Sequence, residues 1–431
     1  MYFFGLIVYL RLENNNNMRN ILFIILLFPV ALCAQFLETR SASVRSLQIF
    51  VNGESDGAPV IGLNGDDEIK FAFDEMSHIY RRYTYKITHC NSDWTPSELF
   101  PIDYLDGFND QTIEDWENSE NTTQLYTHYE LTLPNDDVSF KVSGNYMLEI
   151  VDDENDSVVA VFRFAVVDRR FFITAEVSGN TDIDFNKTHQ QLSFNVGYSG
   201  VRVSSPAAEV KPVIYQNRRF DNRVEGIVPT YITGNELQYV HNRKLIFDAG
   251  NEYRRFELTD PYSPGMNVES IKYFDPSYHA DIYVDRAAVN YRNDRDENGR
   301  YFINTLEGYG SDIEADYAVV HFTLNAPYRT DGHYYLLGDA WGNRFLDSNI
   351  LEYDYSTETY TTAQLLKFGL YNYQYVWVPA YKAGSVAIAE AEGSFYNTDN
   401  EYLLLIYHRA PGGRYDELLG FLQMNYILER N

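Results

Sequence analysis

Leu47-Gln48-Ile49-Phe50-Val51 and Ile69-Lys70-Phe71-Ala72-Phe73 set apolar side chains at every second position. Successive side chains of an extended chain point to opposite faces, so each stretch reads as a strand with one buried face. Val159, Val161, Phe162 and Phe164 continue the pattern further along. Turn signals punctuate these runs at Asn52-Gly53, Asn64-Gly65, Gly144-Asn145, Gly179-Asn180 and Asn298-Gly299. Each can supply the positive φ angles of tight hairpins. Helical periodicity is confined to two short stretches, 113–118 and 361–366, and neither is long enough to build a helical layer. The 37 Tyr and 27 Phe also favour strands, because flat rings pack well on pleated, half-buried surfaces. The expected fold is all-β, with tandem antiparallel β-sandwich (immunoglobulin-like) domains.

A chain of 431 residues exceeds one ordinary domain, and its length suggests roughly three. The strand ending at Val167 gives way to Asp168-Arg169-Arg170 before a fresh apolar run at Phe171. A polar stretch from Arg292 to Arg300 marks a second break. The expected domains are 35–168, 169–296 and 297–431.

The start of the chain reads as a secretory signal over 1–34. Met18-Arg19-Asn20 gives a short basic start, residues 21–32 an apolar stretch, and Cys33-Ala34 a small-residue exit before Gln35. On this reading the true start is Met18 and the mature chain begins at Gln35. Residues 21–32 fall short of the ~20 apolar residues needed to span a bilayer, so direct membrane insertion is not expected. Lipidation at Cys33 would place Leu32 where lipoprotein signals prefer a small residue. Removing the signal leaves Cys90 as the only thiol, so no intramolecular disulfide is available and large cores must hold the fold.

A formal charge of −28 makes nucleic-acid binding a poor expectation, since phosphate backbones need clustered Lys and Arg. The same charge opposes docking on anionic lipid, and a mean hydropathy of −0.37 suits a soluble, monomeric chain. The nine His are scattered without a metal-ligand spacing, and no nucleophile elbow, phosphate loop or dinucleotide fingerprint appears. No catalytic residue, metal or cofactor is expected. Asp294-x-Asp296-x-Asn298-Gly299 has the first half of a calcium loop, but its twelfth position is Thr305, so a plain turn is the better reading. His89 and Cys90 are neighbours on a strand and point to opposite faces, which opposes a Cys/His nucleophile. In His89-Cys90-Asn91-Ser92-Asp93-Trp94, Asn91 and Asp93 are expected to satisfy turn backbone while Trp94 packs inside.

The connection at 94–121 is long for a compact domain, and such connections often carry function. Its Tyr104-Leu105-Asp106-Gly107-Phe108 mixes aromatic and acidic groups in a way that suits a partner surface. Trp94, Tyr104, Asp106, Gly107 and Phe108 are the candidate partner-binding residues. Gly338-Asp339-Ala340-Trp341-Gly342-Asn343 resembles the turn of starch-binding sandwich modules, and Trp341, Tyr373 and Trp377 could form a sugar-stacking platform. An exported carbohydrate-binding β-sandwich protein is the alternative function.

Tyr83-Thr84-Tyr85-Lys86-Ile87, His89 to Trp94, Tyr104 to Phe108, Asn121-Thr122, Tyr126-Thr127-His128-Tyr129 and Ser143-Gly144-Asn145-Tyr146 resemble, in order and spacing, the N-terminal domain of the plug protein of the bacterial type IX secretion system. That family was long known only as a domain of unknown function in Bacteroidetes. Leu365-Leu366-Lys367, Tyr371-Asn372-Tyr373-Gln374-Tyr375, Glu392 to Tyr396 and Tyr415 to Gly420 resemble its C-terminal part. Phe368 departs from the pattern where a polar residue is expected, and Ala340 lies where related sequences vary. The resemblance implies a periplasmic protein associated with the outer-membrane translocon. It would dock on that giant β-barrel and occlude it when no substrate is passing.

Overall fold

A computed structural model describes residues 35–306, 308, 311–380 and 386–426. The secretory signal read over 1–34 lies outside the described residues. Strand makes up about 49 % of the described residues and helix about 7 %, in several antiparallel sheets, so the all-β sandwich expectation holds. Among the described residues no helix is long and apolar enough to cross a membrane.

In the first sandwich, Leu37–Thr39, Ser157–Val167, Gly144–Asp152, Tyr83–Cys90 and Gln111–Thr112 lie side by side in one sheet. Val44–Val51, Ile69–Glu75, Thr127–Leu133 and Asp115–Asn118 form the other. Phe71 meets Phe162 and Phe164 across the gap, each at 5.3 Å between ring centroids. The alternation at 69–73 thus produces the expected buried face. Pairing is antiparallel except where Val60–Gly62 runs parallel to the end of Ser157–Val167.

The next two sandwiches exchange strands, so a boundary near 296 does not describe their sheets. Phe172–Ser178, His189–Gly197, Glu236–Tyr239 and Tyr231–Thr233 form one sheet, which packs on Val210–Gln216, Glu401–His408 and Glu417–Asn425. Two of these strands come from the far end of the chain. Arg254–Leu258, Val268–Phe274 and Ser277–Ile282 instead join strands between 301 and 379 in a ten-stranded sheet. Phe256, near one end of that strand order, touches Phe322, near the other, at 5.7 Å. The sheet therefore curls around its own core.

The two stretches with helical periodicity fold as strands, Asp115–Asn118 and Thr359–Lys367. A helix this short is marginal in water. Thr361 and Thr362 are β-branched, and strands on both sides of Thr359–Lys367 satisfy its backbone. Phe368 is buried in the third core, which accounts for an apolar residue at that position.

Candidate functional site

The strand Tyr83–Cys90 runs into a tight turn. The Trp94 N–H donates to the Asn91 carbonyl at 2.9 Å, and Asp93 Oδ1 accepts from the Thr95 N–H and hydroxyl at 3.0 and 2.6 Å. Trp94 takes φ = 68° and turns inward. Its indole N–H donates to the Tyr215 hydroxyl at 3.1 Å, and Phe36 meets the ring edge-on. Trp94 is thus a seam residue between the first and middle sandwiches, with no face left for a partner.

His89 is buried, and both of its ring nitrogens are engaged. Nε2 donates to the Ser143 carbonyl at 3.2 Å, which leaves Nδ1 to accept the Ser97 hydroxyl at 2.9 Å. Burial lowers its pKa to about 4 and pushes the Cys90 thiol up to about 12. A thiol is nucleophilic as thiolate, so at neutral pH Cys90 is inert.

Pro101–Tyr104 forms one helical turn, tied at its start by Asp103 Oδ2 accepting the Phe100 N–H at 3.1 Å. Tyr104 is buried and donates its hydroxyl to the Ile87 carbonyl at 3.0 Å, so it too belongs to the core. Leu105–Gly107 then pairs with Val138–Phe140. Gly107 has φ = 109°, and a Cβ there would lie 1.8 Å from the Asp137 carbonyl oxygen. Asn109 follows, its side chain accepting the Ile87 N–H and donating to the Ile87 carbonyl, both at 2.8 Å. Between these anchors Phe108 is 78 % exposed, with Asp106 and Gly107 exposed beside it.

Of the five candidate residues, then, Asp106, Gly107 and Phe108 face solvent while Trp94 and Tyr104 are internal. Sequence reasoning missed Phe100 and Ile102, which are 70 % and 77 % exposed on the same short segment. Bulky apolar residues flanking Pro101 in a polar connection were the available signal. Exposed rings whose backbone is already pinned lose little freedom on binding, which favours docking.

The other candidates resolve into structural roles. Asp294 Oδ1 accepts from Arg255 at 2.8 Å, and Asp296 accepts the backbone N–H groups of Tyr253 and Asn298, so this half-loop is a hydrogen-bonded turn. Trp377 and Tyr373 are each 1 % exposed within the third core, and Trp341 packs against it with its N–H on Gln364 at 3.2 Å. A stacking platform would need these rings at the surface. His128, Glu130 and Asp312 bring one possible ligand atom each within 4.8 Å of one another, but His128 and Glu130 already sit in an ion-pair network. His128 Nδ1 lies 2.6 Å from Asp74, and Lys70 lies 2.7 Å from Glu130.

A family model described as the first domain of the type 9 secretion system plug protein matches residues 44–168, the first sandwich and the exposed segment it carries. The crystal structure of a hypothetical protein from Parabacteroides merdae ATCC 43184 superposes with a TM-score of 0.89 at 41 % identity, over 91 % of this chain and 99 % of that one. No curated protein matches. Residues 44–168 are therefore a first domain of the type IX secretion system plug protein family, which points to a role related to type IX secretion.

Proposed function

We propose that this protein is a periplasmic plug that docks on the outer-membrane β-barrel translocon of the type IX system and occludes it when no substrate is passing. The match of residues 44–168 to the plug family's first domain carries the reading. A barrel wide enough to pass folded cargo would leak, and closing it takes surface complementarity without catalysis. The exposed segment around Phe100, Ile102 and Phe108 supplies apolar anchors. Asp106 and the Asp103–Arg414 pair, 3.1 Å apart, lie beside them and give the charged rim usual at interfaces. The protein acts as a monomer bound to the translocon.

Affinity purification of the tagged chain from native membranes tests the role. A giant β-barrel should co-purify, and its loss should make the outer membrane permeable to large hydrophilic probes. Purification without any outer-membrane protein would reject docking, and an unchanged permeability would reject occlusion.

A further inference from the structure

A cleft of about 360 Å³ opens between the N-terminal strands of the first sandwich and the 339–349 turn and Thr359–Lys367 strand of the third. That volume falls at the lower end of the about 300–1,000 Å³ typical of small-molecule sites. None of residues 100–108 lines it, so the cleft is separate from the segment proposed to dock.

The charge of this cleft runs against the rest of the molecule. The chain has 62 acidic and 34 basic residues, yet the lining contains Arg40, Arg45, Arg344 and Lys367 against a single carboxylate, Asp339. Asp339 is already paired with Arg218. Lys367 is spent on Asp74 at 2.7 Å. Glu38, just behind the lining, is shared by three guanidiniums: Arg40 at 3.1 Å, Arg163 at 3.2 Å and Arg344 at 3.7 Å. Arg40 has a second, longer partner in Glu149 at 3.8 Å. Positive charge is therefore in excess here.

Arg45 stands out further. It is half-buried and has no hydrogen-bond or ion-pair partner among the described residues. Its nitrogens keep contact with solvent, so the unpaired guanidinium is open to an anion entering the cleft, and a hydrogen bond between two charged groups is among the stronger a side chain makes. The backbone also departs from regular geometry to hold it there. The register of Val44–Val51 slips between Arg45 and Gln48, and Ser46 takes φ = 52°, uncommon for a residue other than Gly. Bulges of this kind re-aim side chains. The Ser46 hydroxyl, 2.6 Å from the Tyr317 hydroxyl, fixes the bulge from inside. Across the cleft, Trp341, Leu346 and Leu365 provide an apolar wall.

We propose that this cleft binds a small organic oxyanion, a carboxylate or phosphate carried on a short apolar body, with Arg45 as the group that recognises its charge. The apolar body packs against the Trp341 side, and Arg40 and Arg344 add long-range attraction.

Isothermal titration calorimetry on the mature full-length protein at low ionic strength tests this with three probes: N-acetyl-leucine, N-acetyl-leucine amide and inorganic phosphate. The amide should not bind. N-acetyl-leucine should bind, and Arg45→Gln should weaken it by about tenfold or more, the loss expected for a hydrogen bond to a charged group. Arg82→Gln, at an exposed pair with Asp153 outside the cleft lining, should leave binding unchanged. Binding of phosphate alone with the same dependence on Arg45 would assign the natural ligand to a phosphate source and support the proposal. Binding of the amide as well as the acid, binding insensitive to Arg45→Gln, or no binding of either anion would overturn it. Because Arg45 makes no pair, Arg45→Gln should keep the wild-type thermal midpoint. Should it fail to fold, Arg45→Lys keeps the charge without the planar fork and must give an intermediate affinity.

Discussion

Glu252 is 1 % exposed, and its Oε2 has no hydrogen-bond partner among the described residues. Burial raises its pKa to about 8, with Asp296 adding to the shift; Asp296 itself is pushed up to about 7, again mainly by burial. A carboxyl that binds its proton more tightly when folded contributes most below its unfolded pKa. That contribution is lost progressively as pH rises to the folded value. Stability should therefore fall between about pH 4.3 and 8 on account of this group. Glu252→Gln removes the charge and keeps an oxygen acceptor for Tyr291, so at pH 9 it should stabilise the protein by about 2 kcal/mol, and by far less at pH 4. Urea unfolding at the two pH values measures this, and a variant less stable than wild type at pH 9 would contradict it. Phe108 gives the opposite kind of residue-scale test. Its ring is solvent-exposed, so Phe108→Ala should leave the thermal midpoint unchanged. Docking on the translocon should weaken by about 2 kcal/mol if the ring is a buried anchor in the complex. Full docking affinity in the variant would move the interface to another face.

The short elements around Phe108 decide how firmly that ring is presented. Leu105–Gly107 pairs with Val138–Phe140 only because Gly107 leaves room for the Asp137 carbonyl, and Asn109 extends the anchoring onto Ile87. Gly107→Ala meets both a steric clash and a positive φ. It should lower stability by about 1–3 kcal/mol and raise proteolytic cleavage near 100–110. Cleavage at the wild-type rate would mean that the segment is held by the helical turn at Pro101–Tyr104 alone. The elements themselves were largely legible, because period-two alternation and turn dipeptides are local signals. Pairing between distant strands was not. Nothing near Glu401–His408 states that it completes a sheet with Val210–Gln216, so the middle and third sandwiches could not be separated by reading along the chain. The candidate site was legible in outline, since the connection at 94–121 does display apolar side chains. An aromatic residue in a loop reads alike whether it faces a partner or a neighbouring sandwich, and Trp94 and Tyr104 proved to be of the second kind.

At the scale of the whole molecule, the first sandwich is fastened to the third by a buried polar cluster. Asp74, fully buried, accepts from Lys367 at 2.7 Å, from the Tyr317 hydroxyl at 2.6 Å and from His128 at 2.6 Å. Lys367 also donates to the Asp312 carbonyl at 2.6 Å and lies over the Tyr126 ring at 4.2 Å. Backbone bonds reinforce the seam, with the Thr123 and Gln124 N–H groups donating to the Asp316 carboxylate at 2.7 and 3.0 Å. Burial alone would raise the Asp74 pKa, but Lys367 and His128 outweigh it and hold the carboxyl below its usual range. Burial would lower His128, but hydrogen bonds to Asp74 and Glu130 outweigh it and raise its pKa to about 9. The contribution of His128 is therefore complete below its unfolded value of about 6.5 and lost as pH rises through about 9, whereas that of Asp74 is lost as pH falls below its unfolded range. The seam should be strongest in mildly acidic to neutral solution. Lys367→Met leaves Asp74 charged and short of its main partner, at a cost of about 3–5 kcal/mol. Pairing it with Asp74→Asn removes the stranded charge, so the double variant should recover much of that loss. Hydrogen exchange locates the damage: in Lys367→Met the Thr123 and Gln124 amides should exchange faster than those of Phe172–Ser178, which lie away from this seam. Uniform acceleration along the chain would mean that the cluster stabilises the fold as a whole. No acceleration at Thr123 and Gln124 would mean that Asp316 and the surrounding core hold the two sandwiches together without it.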